Sequence, residues 1–489
     1  MKILLIYPVP PKSHWPKGQM LARWVPTGLA YIGAVLQRAG HTVKALVRAE
    51  QLIKNGFDWV AADAQLHRLL EEFQPEMIGF SVLTPMVPEA GSIARLAKQI
   101  CGDQVLVAAG GPHPSAIPER MLQECPAIDV IVVGEGEDTM VELAEKGPAK
   151  AVAGLVFRDG ESFVRTAPRS PEANLDRLGP PAYNLFDMTF YTEPNPWMIH
   201  WLRLSATNIR TTRGCPNRCA FCAGTIVSGP GVRYHSINYV MDLVQDVVER
   251  FGVKAVHFED ETFAADRSRV LALCEEMRRR GLHKRIQWDC LFRVEQAESE
   301  LLARMKSAGC IQVEYGFESG SDAALRRVGK NASVEQNRRA VRLTREAGLR
   351  IYADIMLGLP GETEEDIRAT RRFLRWARPE AICASRMTPL PGTPVYDELP
   401  PAVRDSLNWA DYTYMDHRAD KVNFAAMPAQ RFEALYQDFR KHFWRPVTEW
   451  GLLRDAPPED REERRRLRKK LLRFILRHPL RAARLPIFR

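Results

Sequence analysis

The sequence lacks most of the signatures that would place it quickly. No apolar run approaches the roughly 20 residues of a membrane-spanning helix. The opening MKILLIYPVPPK has neither a long apolar segment nor a cleavage site, so no secretory leader is expected. No G-x-G-x-x-G follows the first strand-like run, which argues against a dinucleotide-binding start. Histidine is sparse, at 11 in 489 residues, and cysteine sparser, at nine. An odd number of cysteines in a chain this long excludes a disulfide scaffold and fits a reducing, cytoplasmic compartment.

What is present describes a large globular protein. A chain of 489 residues is too long for one core and should divide into two or three domains. Its hydrophobic share of 45% excludes a disordered chain. The net charge of +9 is concentrated in the final stretch REERRRLRKKLLRFILRHPLRAARLPIFR. That stretch reads as a solvated basic helix or, because Leu471, Leu472, Phe474, Ile475 and Leu476 interleave with arginines, as a peripheral membrane contact. Pro479 and Pro486 interrupt any long helix there.

Two alternating β/α series follow each other. KILLIYP, HTVKAL, EMIGFSV, QVLVAAG and DVIVVG are continuous apolar runs, as strands buried on both faces require. Amphipathic segments near 27–40, 62–73, 87–100 and 116–124 separate them, which predicts a doubly wound, Rossmann-like parallel sheet over residues 1–150. Ligands of such sheets sit at the carboxyl ends of the strands. A hairpin turning at Asp159-Gly160 and a proline-rich linker occupy 151–200. Six further strand candidates, LSATNIRTT, KAVHFED, RIQWDCL, IQVEYGFE, RIYADIMLG and AICASRM, alternate with helices over 201–400. Six units fall two short of a closed eight-fold barrel and predict a partial TIM-type (β/α)6 barrel, working at its carboxyl rim. Residues 401–489 form a mixed, basic tail.

The segment TTRGCPNRCAFCAG, just after the first barrel strand, puts Cys215, Cys219 and Cys222 within eight positions. A structural zinc site would recruit a second pair of ligands, and none is evident. Three thiolates suit an iron–sulfur cube with one open corner.

CPNRCAFC, HFEDETF, GFESGSDAALRRVGK, MLGLPGETEED and PLPGTP occur in the order found in radical S-adenosylmethionine (SAM) enzymes. The preceding sheet, with GGPHPSA and GEGE, resembles the domain of their cobalamin-binding subgroup. The likeness covers about residues 1–400 and implies a [4Fe–4S] cluster, SAM and cobalamin. It assigns Cys215, Cys219 and Cys222 to the cluster, with SAM on the open iron. Phe221, Glu259, Asp260, Glu261, Glu318, Ser319, Gly358 and Pro389 become SAM-facing candidates. Acids at 259–261 stand where many relatives carry Gly-Gly-Glu, and a carboxylate there suits the methionine ammonium. Ser81, Val82, Leu83, Thr84, Gly110, Gly111, His113, Gly134, Glu135 and Gly136 become cobalamin candidates. The Asp-x-His-x-x-Gly motif that supplies a lower cobalt ligand is absent, leaving His14 and His113 as the only loop histidines and predicting cobalt with no histidine beneath it. Tyr234, Tyr315, Tyr352 and Arg386, near strand ends, are candidates for substrate contact or for packing.

The resemblance implies reductive cleavage of SAM, hydrogen abstraction from an unactivated carbon, and methyl delivery from methylcobalamin. A flavodoxin- or ferredoxin-type reductant is the expected electron donor, and a small molecule, lipid-like or tetrapyrrole, the expected substrate. No nucleic-acid partner is expected. The competing readings are a cyclase or rearrangement enzyme with the same cofactors, and a non-catalytic cobalamin or iron–sulfur sensor. A methylthiotransferase would need a second cysteine trio upstream, where only Cys101 and Cys125 stand.

Overall fold

A computed structural model describes residues 1–12, 23–200, 202–412 and 422–444, with a few isolated residues between 465 and 476. His14 and nearly all of the basic C-terminal stretch lie outside the described residues. Among the described residues no helix is long and apolar enough to cross a membrane.

Seven strands form the first sheet: β1 (Lys2–Tyr7), β2 (Thr42–Val47), β3 (Met77–Ser81), β4 (Leu106–Gly110), β5 (Val130–Val132), β6 (Leu155–Asp159) and β7 (Ser162–Arg165). Their order is β2-β1-β3-β4-β5-β6-β7. The first five are parallel, as the apolar runs predict. The β6–β7 hairpin continues the same sheet in antiparallel register. Ile3, Leu4, Leu5 and Ile6 are all buried, because helices cover both faces and every position of β1 needs an apolar side chain.

A small hairpin, β8 (Asn195–Ile199) with β9 (Leu202–Leu204), leads into the second sheet. That sheet comprises β10 (Ala206–Ile209), β13 (Ala255–Phe258), β14 (Gln287–Phe292), β15 (Cys310–Glu318), β16 (Arg350–Leu357) and β17 (Ala381–Arg386), all parallel and in sequence order. Between its first two strands lies a two-stranded ribbon of β11 (Thr212–Arg213) and β12 (Arg233–Tyr234). The covering helices begin at side-chain caps: Ser236, Asp266, Ser333 and Thr363 each accept backbone N–H groups. This is the partial barrel expected of six units.

Side chains alternate along each barrel strand. On β15, Val313, Tyr315 and Phe317 point out into an aromatic layer with Phe292 and Phe373. Gln312, Glu314 and Glu318 point in. The lower lumen is polar. His257 Nδ1 lies 2.9 Å from Asp289, Gln312 donates to Asp289 at 3.2 Å, and His200 Nδ1 is 3.4 Å from Glu314. Burial alone would lower the His257 pKa, but the Asp289 charge lifts it to about 9; burial raises Asp289 to about 7. His200, from the β8–β9 hairpin, stacks on Tyr352 at 3.9 Å and closes the floor.

After β17 the chain returns to the first sheet. Tyr396, Trp409 and Tyr412 join the core beneath Ile78 and Phe80. Trp409 meets the ring of His113 edge-on at 4.9 Å, and Arg120 lies over its indole at 4.5 Å. Burial, then the Arg120 charge, pushes His113 down to about 3, so the folded protein holds it neutral. The unfolded chain, with an ordinary histidine pKa near 6.5, takes up that proton first, so this contribution to stability is lost as pH falls below about 6.5. Replacing His113→Gln should flatten the pH dependence by up to ~1.4 kcal/mol per pH unit between about neutral and about pH 5. Denaturant midpoints across that range check this; equal slopes would contradict it.

Candidate active site at the facing sheet edges

The segment leaving β10 must turn sharply into the cysteine loop. Gly214 takes φ +90°, and a Cβ there would lie 2.3 Å from the Gly231 carbonyl oxygen, so glycine is obligatory. The loop is pinned across the rim: Ala220 N–H donates to Val328 O at 2.9 Å, and Ala220 O accepts from Val395 N–H at 3.3 Å. Cys219 is buried, Cys215 half-buried and Cys222 exposed. The surrounding protein raises the Cys222 thiol, and Cys219 and Cys215 add to the rise. Three thiols brought this close repel as thiolates, which suits shared iron. Phe221 packs with Ala324, Val328, Leu359, Met387 and Val395 in an apolar patch drawn from three strand ends.

The acids after β13 divide their work. Asp260 is fully buried and accepts from Thr211 N, Thr212 N and Thr211 Oγ1 at 2.6 to 2.8 Å, so it builds the loop rather than meeting a ligand. Glu259 accepts from Asn208 at 2.8 Å. Glu261 takes Arg210 on one oxygen at 3.1 Å, while its buried Oε2 has no hydrogen-bond partner. Burial raises its pKa, and Arg210 offsets part of the rise. A buried orphan acceptor beside Gly224 is a place for a charged donor. After β15, Glu318 adopts φ 57° and pairs with the buried Lys330 ammonium at 2.9 Å.

The first sheet presents its carboxyl edge to this rim. Leu83 is 36% exposed, one of few large apolar side chains left open among the described residues. Gly111, at φ +103°, packs against the Val82 backbone with no room for a side chain. Ser81, Gly110 and Gly134 line the same edge half-exposed, while Val82, Thr84, His113 and Gly136 are buried beneath it. Thr84 Oγ1 lies 3.3 Å from His113 Nδ1. The two units meet beside the cysteine loop. The short helix Thr225–Ser228 packs on Pro112–Ala116, and a Cβ on Gly134 would meet the Val227 carbonyl oxygen at 3.7 Å. Arg213 lies 2.6 Å from Glu137 and 3.3 Å from Glu135, and Arg233 binds Glu135 at 2.6 Å.

The profile of the Radical SAM superfamily matches residues 209–374, and that of the B12 binding domain matches 18–144. An uncharacterized methyltransferase of Pyrococcus horikoshii is 30% identical over 428 residues, spanning 85% of this chain and 87% of that protein. The chain belongs to the cobalamin-binding radical SAM enzymes. The anaerobic magnesium-protoporphyrin IX monomethyl ester cyclase of Cereibacter sphaeroides is 29% identical, over 84% of this chain and 65% of that enzyme. Among solved structures, the radical SAM methyltransferase TsrM from Kitasatospora setae shares the fold, with TM-score 0.69 and 20% identity over 96% of this chain and 99% of that one. The cobalamin-dependent radical SAM enzyme OxsB matches with TM-score 0.73 and 18% identity, over 99% of this chain and 71% of that one.

For a radical SAM enzyme with a [4Fe–4S] cluster, SAM and cobalamin as cofactors, the donor set fits: three thiols, an orphan carboxylate oxygen and an exposed apolar edge. Other candidates stand elsewhere. The Tyr315 hydroxyl meets Thr344 at 2.8 Å in the outer helical layer, and Arg386 lies over Tyr436 at 4.1 Å on that same side; strand alternation turns both from the lumen. Ser319 bonds Thr370 at 3.1 Å, behind the rim. Tyr234 sits under Arg269 at 5.2 Å, outside the barrel. Tyr352 faces inward, but at the floor against His200. A Cβ on Gly358 would come within 2.8 Å of the Phe432 ring, and Pro389 is buried. Glu135 is consumed by Arg213 and Arg233. Sequence reasoning missed Arg210, Arg213, Arg293 and Lys330, whose signal is only an isolated cation beside a motif.

Removing Arg213 would leave Glu137 buried with its charge uncompensated and Glu135 held by Arg233 alone. Arg213→Met is expected to cost ~3–5 kcal/mol. Arg177→Met, at an exposed pair with Asp138 and Glu172, should cost at most ~1 kcal/mol. Urea unfolding of the two variants checks the contrast.

Proposed function

We propose that this enzyme transfers a methyl group from cobalamin to an unactivated carbon of a small molecule held between the two sheet edges. The observation that carries this reading is the contact of the cysteine loop with the exposed edge of the cobalamin-type sheet through Arg213, Glu135 and Glu137. When bound, the three cofactors supply a reducing electron, a 5′-deoxyadenosyl radical and a transferable methyl group.

The chain's own residues hold, orient and exclude water. Cys215, Cys219 and Cys222 would hold the cluster, with SAM as its remaining ligand. Glu261 Oε2 would accept from the methionine ammonium, and Lys330 with Glu318 would serve the carboxylate and ribose end. Phe221 and its apolar patch would line the adenine. Leu83, with Gly110 and Gly111, would line the cobalamin site. His113 is neutral, buried and bonded to Thr84, which supports cobalt without a histidine ligand. A flavodoxin- or ferredoxin-type protein supplies the electron. Likeness to the Cereibacter sphaeroides cyclase supports a second reading, ring formation or rearrangement without methyl transfer, and a tetrapyrrole as first substrate to test.

Anaerobic turnover with methyl-deuterated SAM and magnesium-protoporphyrin IX monomethyl ester separates the readings. Methylation carries deuterium into the product, whereas cyclisation gives 5′-deoxyadenosine and an unlabelled product. Cys222→Ala should abolish 5′-deoxyadenosine with or without substrate, and Cys274→Ala, in the outer wall, should retain it. A wild-type chain that forms none under dithionite would sink both readings and leave the sensor.

A further inference from the structure

Each of the three cysteine sulfurs receives one N–H. Asn217 Nδ2 lies 3.4 Å from Cys215 Sγ, the backbone nitrogen of Gly224 lies 3.4 Å from Cys222 Sγ, and Arg293 Nη1 lies 3.7 Å from Cys219 Sγ. Two of these donors are neutral and belong to the cysteine loop. The third is a buried guanidinium arriving from the end of β14, 74 residues away. Its aim is fixed on the other sides of the planar fork: Nε bonds Glu295, and Nη2 donates to the Lys330 carbonyl at 2.6 Å. Arg293 therefore ties together the cysteine loop, the β14 rim and the turn that carries Lys330.

We propose that Arg293 is a positioning residue that raises the reduction potential of the cluster through a charged hydrogen bond to the Cys219 sulfur. The inference rests on the cluster assignment under Proposed function. Reduction adds one electron, from the external donor, to iron and sulfide held by three thiolates. A cation and an N–H donor at a ligand sulfur stabilise the more negative, reduced state more than the oxidised one. Burial keeps that interaction from being screened by water. Because the donor is charged and lies on Cys219 alone, the effect should exceed that of the neutral Asn217 amide.

The test uses the full chain, reconstituted anaerobically with iron and sulfide, and reads iron content and the cluster midpoint by EPR-monitored redox titration. Arg293→Gln should keep its iron and become about tenfold harder to reduce at a given potential, a fall of about 59 mV for one electron. Arg293→Lys should lie between that variant and the wild type. Glu295→Gln leaves the cation but frees its aim, so a smaller fall is expected, and Asn217→Ala should shift less than Arg293→Gln. A wild-type midpoint in iron-replete Arg293→Gln would overturn the proposal. Should Arg293→Gln fail to hold iron, wild-type midpoints in both Arg293→Lys and Glu295→Gln would overturn it equally, and lowered ones would support it. Failure of the cluster assignment looks different: the wild type would take up no cube, or Cys219→Ala would retain one unchanged.

Discussion

The architecture depends on a buried seam of charge. Arg213 immediately precedes the cysteine loop, Glu135 lies in the loop after β5, and Glu137 opens the helix Glu137–Lys146 that follows it. Arg213 and Arg233 balance the two glutamates, so four ions share a site that water hardly reaches. Desolvating such groups is costly, and single loss of a partner costs more than the pair contributes. The benefit is geometric. Radical chemistry passed between two cofactors needs a fixed separation, and an ion cluster with defined partners holds two loops in one register better than an apolar contact that can slide.

Around that seam the barrel is apolar on its helix-covered face and polar inside, where a closed eight-strand barrel packs branched apolar side chains. Inward positions carry Asp289, Glu314 and Glu318, and the floor is sealed by His200 on Tyr352. The open end faces Leu83 and the glycine-lined edge of the first sheet. On the proposed function, the closed floor would shield a reactive radical from below. Gly214 and Glu318, both in the left-handed region, mark where the rim departs from regular strand geometry to present its groups.

The first sheet was legible because a strand buried on two faces must be a continuous apolar run, as in KILLIY, and the second because six short strand-like runs such as KAVHF alternate with helical segments. The cysteine loop was legible because its ligands are local, within eight residues. Partner choice was not. Nothing near Glu135 announces Arg213, 78 residues away, and a glycine-rich loop acid reads equally well as a ligand contact. Arg293 and Lys330 suffered the same way, since each meets its partner through the fold. The directions of Tyr315 and Arg386 could have been read, however. Tyr315 shares strand parity with Val313 and Phe317, and Arg386 with Ile382 and Ala384, so both belong to the outward set.

The central claim is that a three-cysteine cluster and a corrin occupy the two sides of one cleft. Pulsed dipolar EPR on anaerobically reconstituted chain, carrying Co(II) cobalamin and reduced cluster, measures it directly. The account requires a defined spin–spin coupling between the two centres that vanishes in Cys219→Ala. Two magnetically isolated centres, or a cobalt signal indifferent to reduction of the cluster, would contradict it.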